Sequence, residues 1–307
     1  MGIPYKKVLT LGHSLALDAC HMLAAVVAAE GEQLEIATLY DSGCPLFRHV
    51  EYLQSGSRKY SLHVSSSETP GQPPKVIKEV TMEEAILYSD FDLIMMQGGT
   101  FEIARSETYT NGNIQIIQDY VNQKKRNPDA VFAWHMPWAF ATDPELMAKY
   151  PLSPNAYING YKPYDTNRVR LYEAFCKCVT DHILTDDTFR FLIPTGTAME
   201  NALAAGLTEQ ELLHDDAHAS DLGRLLAAYT WYCVLAGVEQ LETISLDAIP
   251  SPFVATSIVA GDRILTEDDK ALIIESVNNA LKNPLTITQS QYQQAPEGYV
   301  PVKNQDG

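Results

Sequence analysis

With 307 residues the chain can form one large α/β domain, and its 46% hydrophobic and 20% charged residues match a globular protein with a sizeable core. Its 39 acidic side chains against 22 basic ones give a net charge of −17, and the only short basic run is Lys124, Lys125 and Arg126. That balance disfavours nucleic acid and anionic membrane surfaces as partners. No apolar run approaches the ~20 residues of a membrane-spanning helix. No signal-peptide stretch follows Met1, so the expected location is the cytoplasm if Met1 is the native start.

In chain order, residues 7–11 (KVLTL) read as a buried strand, followed by one Ala-rich helix over about 15–30. A second strand over 34–39 (LEIATL) ends at the turn Asp41-Ser42-Gly43, and a loop and helix come next. Residues 65–74 (SSSETPGQPP) read as an exposed connection. Three more strands are expected at 91–96 (FDLIMM), 130–134 (AVFAW) and 189–193 (FRFLI). Helical patterns fall at 112–125, 167–184, 198–205 and 220–236, and a last helix lies within 261–283. Continuous apolar strands separated by helices predict a three-layer α/β/α sandwich around a mostly parallel, five-stranded sheet, flavodoxin-like in type. Ligand groups then belong at the carboxyl ends of the strands. The expected organisation is a main domain over 1–246, with a helical extension and polar tail over 247–307 packed on it.

Five scattered cysteines, Cys20, Cys44, Cys176, Cys178 and Cys233, have no zinc or thioredoxin spacing and read as buried thiols. No metal is expected, because the histidines lack any ligand spacing. No other cofactor is expected either.

Gly12-His13-Ser14 stands between the first strand and the first helix, where a serine can act as nucleophile or merely cap the helix. Asp215-Asp216-Ala217-His218 lies about 200 residues later, ahead of a helix that begins near Ser220. Asp215 three residues before His218 can receive the imidazole Nδ1–H and leave Nε2 to take a serine proton. The competing reading is a helix cap. Trp134, His135 and Trp138 surround the end of the fourth expected strand. They are expected either to meet a sugar ring or acyl chain or to pack in the core and rim.

The ordered set resembles the SGNH (GDSL-like) hydrolase superfamily, and more narrowly a bacterial branch described as a domain of unknown function. The similarity is carried by Leu9-Thr10-Leu11-Gly12-His13-Ser14, Asp41-Ser42-Gly43-Cys44, Met96-Gln97-Gly98-Gly99 and Trp138-Ala139-Phe140-Ala141. It continues through Ile193-Pro194-Thr195-Gly196-Thr197-Ala198 and the Asp-x-x-His segment into Gly223-Arg224-Leu225-Leu226-Ala227-Ala228. The resemblance implies a serine esterase with Ser14 as nucleophile, His218 as base and then acid, and Asp215 as the orienting carboxylate. It also implies an oxyanion hole from the N–H groups of Ser14 and Gly43.

The family's third oxyanion donor is an Asn, and here Gln97 stands in that region, its amide one methylene longer. His13 replaces the family's Asp or Asn, and is expected to support the nucleophile or to touch substrate with His135 and Trp138. The substrate implied is a small ester, acetylated oligosaccharides first. An acyltransferase or a non-catalytic ligand-binding protein on the same scaffold are the alternatives, and a homo-oligomer is left open. A Rossmann-type nucleotide binder is disfavoured, since Gly12-His13-Ser14 lacks the further glycines of that loop.

Overall fold

The computed structural model describes residues 2–99, 102–149, 167–245 and 265–292. A seven-stranded sheet runs in the order β4-β3-β2-β1-β5-β6-β7. Its centre is the parallel set β2 (Glu35–Tyr40), β1 (Lys7–Gly12), β5 (Leu93–Met96), β6 (Val131–His135) and β7 (Phe189–Ile193). These are the five strands expected from their apolar runs, and β5 is buried along its whole length.

The other two strands correct the five-strand expectation. β3 (Tyr60–Ser66) pairs antiparallel with β2, and β4 (Lys75–Val80) pairs antiparallel with β3 at the sheet's edge. Neither has an apolar run. β3 alternates buried and half-buried positions, and β4 is mostly exposed and carries Lys75, Lys78 and Glu79. Charge on an edge strand protects its open hydrogen-bonding side from other chains.

Helices cover both faces. On one lie α1 (Ser14–Cys20), α2 (Leu23–Ala29), α9 (Thr195–Ala204), α11 (Asp221–Ala236) and α12 (Glu267–Lys282). On the other are α3 (Leu46–Ser55), α4 (Met82–Ile86), α5 (Ser106–Thr110), α6 (Asn113–Lys124) and α8 (Arg168–Cys178). Two short helices, α7 (Pro144–Lys149) and α10 (Glu209–Leu212), complete the set among the described residues. The long helix expected over 15–30 is two, because the backbone turns at His21, whose N–H bonds back to Asp18 O.

The helix expected over 167–184 changes to a π turn at Val179–Ile183. α12 packs on α9 and α11, so this part of the extension joins the main body. The rest of the expected extension and tail, residues 247–264 and 293–307, lies outside the described residues. All five cysteines are buried and unbridged. No described helix is long and apolar enough to cross a membrane.

The strand order decides where chemistry can be assembled. β1 has β2 on one side and β5 on the other, so the chain leaves the sheet in opposite directions around it. Such a switch point opens a crevice at the carboxyl ends of the strands. At the carboxyl ends of β1, β2 and β5 stand Gly12-His13-Ser14, Asp41-Ser42-Gly43 and Gln97-Gly98-Gly99.

Candidate active site

Ser14 is the first residue of α1, half-buried at the end of β1. Its setting is closely packed. A Cβ on Gly12 would stand 2.7 Å from Ala16 Cβ and 3.2 Å from the Gln97 side chain, so only glycine lets β1, α1 and Gln97 approach. His13 is fully buried and holds the turn with both ring nitrogens. Its Nε2–H donates to Gly98 O at 3.0 Å, and Nδ1 accepts from the Leu15 N–H at 3.4 Å, capping α1. Burial lowers its pKa to about 4, which keeps the ring neutral and this donor–acceptor pattern intact.

The Asp-x-x-His segment is a tight loop whose ends pair through an antiparallel bridge, Leu213 with Ala219. Asp215 Oδ1 accepts the N–H groups of Ala217 (2.9 Å) and His218 (2.7 Å), and Oδ2 accepts His218 Nδ1–H at 2.8 Å. Burial opposes the Asp215 charge, but these three donors outweigh it and bring its pKa down to about 2. The His218 ring is a third exposed. Burial works against its charge, yet Asp215 and Asp18 outweigh that effect and raise its pKa above 6.5. Nδ1–H is engaged with Asp215, and Nε2 is the nitrogen left for proton transfer.

What joins this loop to α1 is Asp18, one turn after Ser14. Its Oδ2 accepts the Ala219 N–H at 3.0 Å, next to His218, while Oδ1 accepts both Arg224 Nε (3.0 Å) and Nη2 (2.7 Å). Both side chains of that ion pair are buried. Asp18 thus latches the loop and α11 onto α1, the helix that starts at Ser14. A positive charge on His218 adds to burial in keeping His13 neutral. The sequence reading missed Asp18. The available signal was a lone acid in an Ala-rich helix and a lone Arg in another apolar helix, since buried charges occur almost only in pairs.

The oxyanion candidates flank Ser14 from the neighbouring strands. Gly43 sits in a turn closed by Cys44 N–H to Asp41 O, at φ +56°, a backbone region that favours glycine. Among the described residues neither the Gly43 nor the Ser14 N–H has a hydrogen-bond partner. Gln97 is buried against Gly12, and its Nε2 has no hydrogen-bond partner among the described residues. Glu102, a second residue missed from sequence, clamps these loops together. Its buried Oε1 accepts Leu46 N–H (2.6 Å) at the start of α3 and Gly99 N–H (3.0 Å) beyond Gln97. Burial raises its pKa and those two donors offset part of the rise.

Two further positions take the packing alternative over substrate contact. Trp138 is fully buried, and its indole Nε1–H donates to Ala217 O at 2.7 Å, pinning the Asp-x-x-His loop from below. His135 is fully buried between Gln97 and Thr195. His13, as described, has both nitrogens occupied in the turn. All three are buried and take their hydrogen-bond partners from within the chain. Trp134 is buried as well, against Tyr109 and Phe189. Among the described residues no cluster of His, Cys, Asp or Glu is arranged to hold a metal.

Fold and edge residues together define an open α/β protein with a serine, a His–Asp pair and unpaired donors gathered at one sheet edge. Within that class the chain belongs to the family described as Domain of unknown function (DUF4886), whose model matches residues 7–245. The crystal structure of a DUF4886 family protein from Bacteroides uniformis ATCC 8492 is similar, with a TM-score of 0.73 and 22% identity. That alignment covers 92% of this chain and 97% of the other, so the fold is shared over nearly all of both. A protein from Slackia heliotrinireducens, proposed to be an SGNH hydrolase, aligns with a TM-score of 0.43 and 18% identity over 74% of this chain and 97% of its own. No curated protein matches the chain.

Proposed function

We propose that the chain is a metal-independent serine hydrolase of small acyl esters, acting through an acyl-serine intermediate. The observation that carries this reading is the Asp18 latch, which fixes the Asp215–His218 pair beside the helix that starts at Ser14. His218 Nε2 takes the Ser14 Oγ proton as Oγ attacks the ester carbonyl. The oxyanion that develops is met by the N–H groups of Ser14 and Gly43 and by the Gln97 amide. His218 then protonates the departing alcohol and next activates the water that releases the acid. The unpaired Gln97 amide supports a working oxyanion hole over an inactive binding scaffold, since a buried donor without a partner is costly unless something uses it. Acetyl esters of carbohydrates are the substrate class proposed, following the SGNH resemblance.

Intact-mass analysis after treatment with a fluorophosphonate tests the reading. Wild type gains one adduct and Ser14→Ala gains none, while both keep the same circular dichroism. An unlabelled wild type, or a labelled Ser14→Ala, overturns it. Turnover of p-nitrophenyl acetate falls with the same substitution by on the order of 10⁴-fold or more.

A further inference from the structure

The carboxyl ends of β5, β6 and β7 place a row of polar side chains beneath the serine. Gln97 follows β5, His135 ends β6, and Thr195 begins α9 just after β7. The register aligns them: Met96 pairs with Trp134, and His135 pairs with Ile193. His135 Nδ1 lies 2.7 Å from Gln97 Oε1, and His135 Nε2 lies 3.0 Å from Thr195 Oγ1. Gln97, His135 and Thr195 are all within 1% of full burial, so water does not complete these bonds.

We infer that Thr195 and His135 are positioning residues which fix the direction of the Gln97 amide and so present its NH₂ group to the oxyanion. The inference rests on the acyl-serine reading above.

Counting donors and acceptors decides the direction of the row. Burial lowers the pKa of His135 to about 3, so the ring is neutral and carries one N–H. If that proton is on Nδ1, it donates to Gln97 Oε1, and the Thr195 hydroxyl donates to Nε2. Every group is then paired except the Gln97 NH₂. If the proton is on Nε2, the Gln97 amide must turn over. The Thr195 hydroxyl proton, the Gln97 Oε1 and one Gln97 N–H are all left buried without partners. The first arrangement leaves fewer orphaned groups, and what it leaves is the NH₂ of Gln97, whose side chain packs on Gly12, two residues before Ser14. The indole of Trp231 meets the His135 ring edge-on at 5.0 Å and holds it in place.

Thr195 thus sets the His135 tautomer, the tautomer sets the amide, and the amide sets the charge facing the reacting oxygen. An amide turned the other way would aim a carbonyl oxygen at a developing anion.

A double-mutant cycle separates this role from simple packing. Gln97→Met removes the amide. His135→Phe removes both ring nitrogens and keeps an aromatic ring against Trp231. With p-nitrophenyl acetate, His135→Phe lowers kcat by ~10- to 100-fold with little change in KM, yet changes it less than about threefold in the Gln97→Met background. His135→Asn, whose amide N–H reaches the place of Nδ1, restores part of the loss. Equal losses in both backgrounds overturn the inference.

A second readout does not depend on activity. Long-range ¹H–¹⁵N spectra of wild type find His135 protonated at Nδ1 and bare at Nε2, and Thr195→Val shifts that tautomer balance. An Nε2–H tautomer in wild type overturns the inference even if every variant folds. A wild type that neither takes the fluorophosphonate nor turns over ester overturns the hydrolase reading alone, and the tautomer then decides the relay.

Discussion

Residues 12–20 and residues 213–219 meet at one sheet edge, yet different forces hold them there. The Ser14 segment is fixed by apolar packing. β1 is buried from Val8 to Gly12, and Leu15, Ala16, Ala19 and Cys20 of α1 are almost wholly buried. The only apolar side chains that the Asp-x-x-His loop buries are Leu213 and the two small residues Ala217 and Ala219. It is held by directed bonds: three N–H groups into Asp215, Ala219 N–H into Asp18, Trp138 into Ala217 O, and Ala141 N–H into Asp216 O. Apolar packing is tolerant of small shifts, whereas hydrogen bonds fix distance and angle. A proton-transfer group needs the second kind of support, since its reach is set to a few tenths of an ångström.

The largest effect expected from breaking this arrangement is at Asp18, where the two supports join. Asp18→Ala frees Ala219 N–H and leaves the buried Arg224 with its longer 3.4 Å contact to Asp221, at a cost of up to about 3–5 kcal/mol. His218 also loses its register with Ser14, and kcat falls by up to ~10⁴-fold. Chemical denaturation and p-nitrophenyl acetate kinetics read the two losses separately. Unchanged turnover in the folded fraction would show that the latch holds structure and not chemistry.

The two segments respond oppositely to smaller cuts. Leu15→Ala is expected to cost about 2–5 kcal/mol of stability, with kcat per folded molecule nearly unchanged. Trp138→Phe keeps the ring and removes one buried donor, a loss of about 1–3 kcal/mol. Its kcat drops more than its stability, since Ala217 O is freed next to His218. If Leu15→Ala proves the worse catalyst per folded molecule, the division between packing and bonding is wrong.

The same division explains what could be read from sequence. The five parallel strands and most helices follow from apolar runs and periodicities, which burial on both faces imposes on any sequence that adopts them. β3 and β4 escaped because a half-solvated strand alternates and a charged edge strand has no run to detect. The pairing of Asp215 with His218 is legible because the two stand three apart on a loop just before a helix start, and Ser14 stands out because it opens the first helix after a strand. The roles of Asp18, Glu102, His135 and Trp138 were hidden because each depends on contacts between residues far apart in the chain. Asp18 meets Ala219 and Trp138 meets Ala217, and no local pattern encodes either meeting. An unpartnered charge in an apolar helix is the nearest thing to a local sign.

The pH profile sharpens the comparison on its polar side. The proposed mechanism requires neutral His218, and its pKa is raised, so the acid limb of kcat/KM is expected with its midpoint above 6.5. A midpoint at or below 6.5 would mean that Asp215 and Asp18 do not reach the ring in solution.

Asp216 adds a smaller and separable effect. Burial and the neighbouring Asp215 charge raise its pKa from 3.8 to about 7, so it gains its charge over the same range in which His218 becomes neutral. The two groups titrate as a coupled pair, and the charge on Asp216 favours the protonated ring. Asp216→Asn removes that charge, and the acid limb is expected to move to lower pH. Stability carries an independent sign. A carboxyl whose folded pKa is raised gives its full contribution below 3.8 and loses it as pH rises through about 7. Wild type should therefore lose stability over that window relative to Asp216→Asn, so the Tm advantage of the variant grows between pH 4 and pH 7 and then levels off. An advantage that is the same at every pH would mean that Asp216 ionises normally in the folded chain, and the shift of the limb would then have to come from geometry.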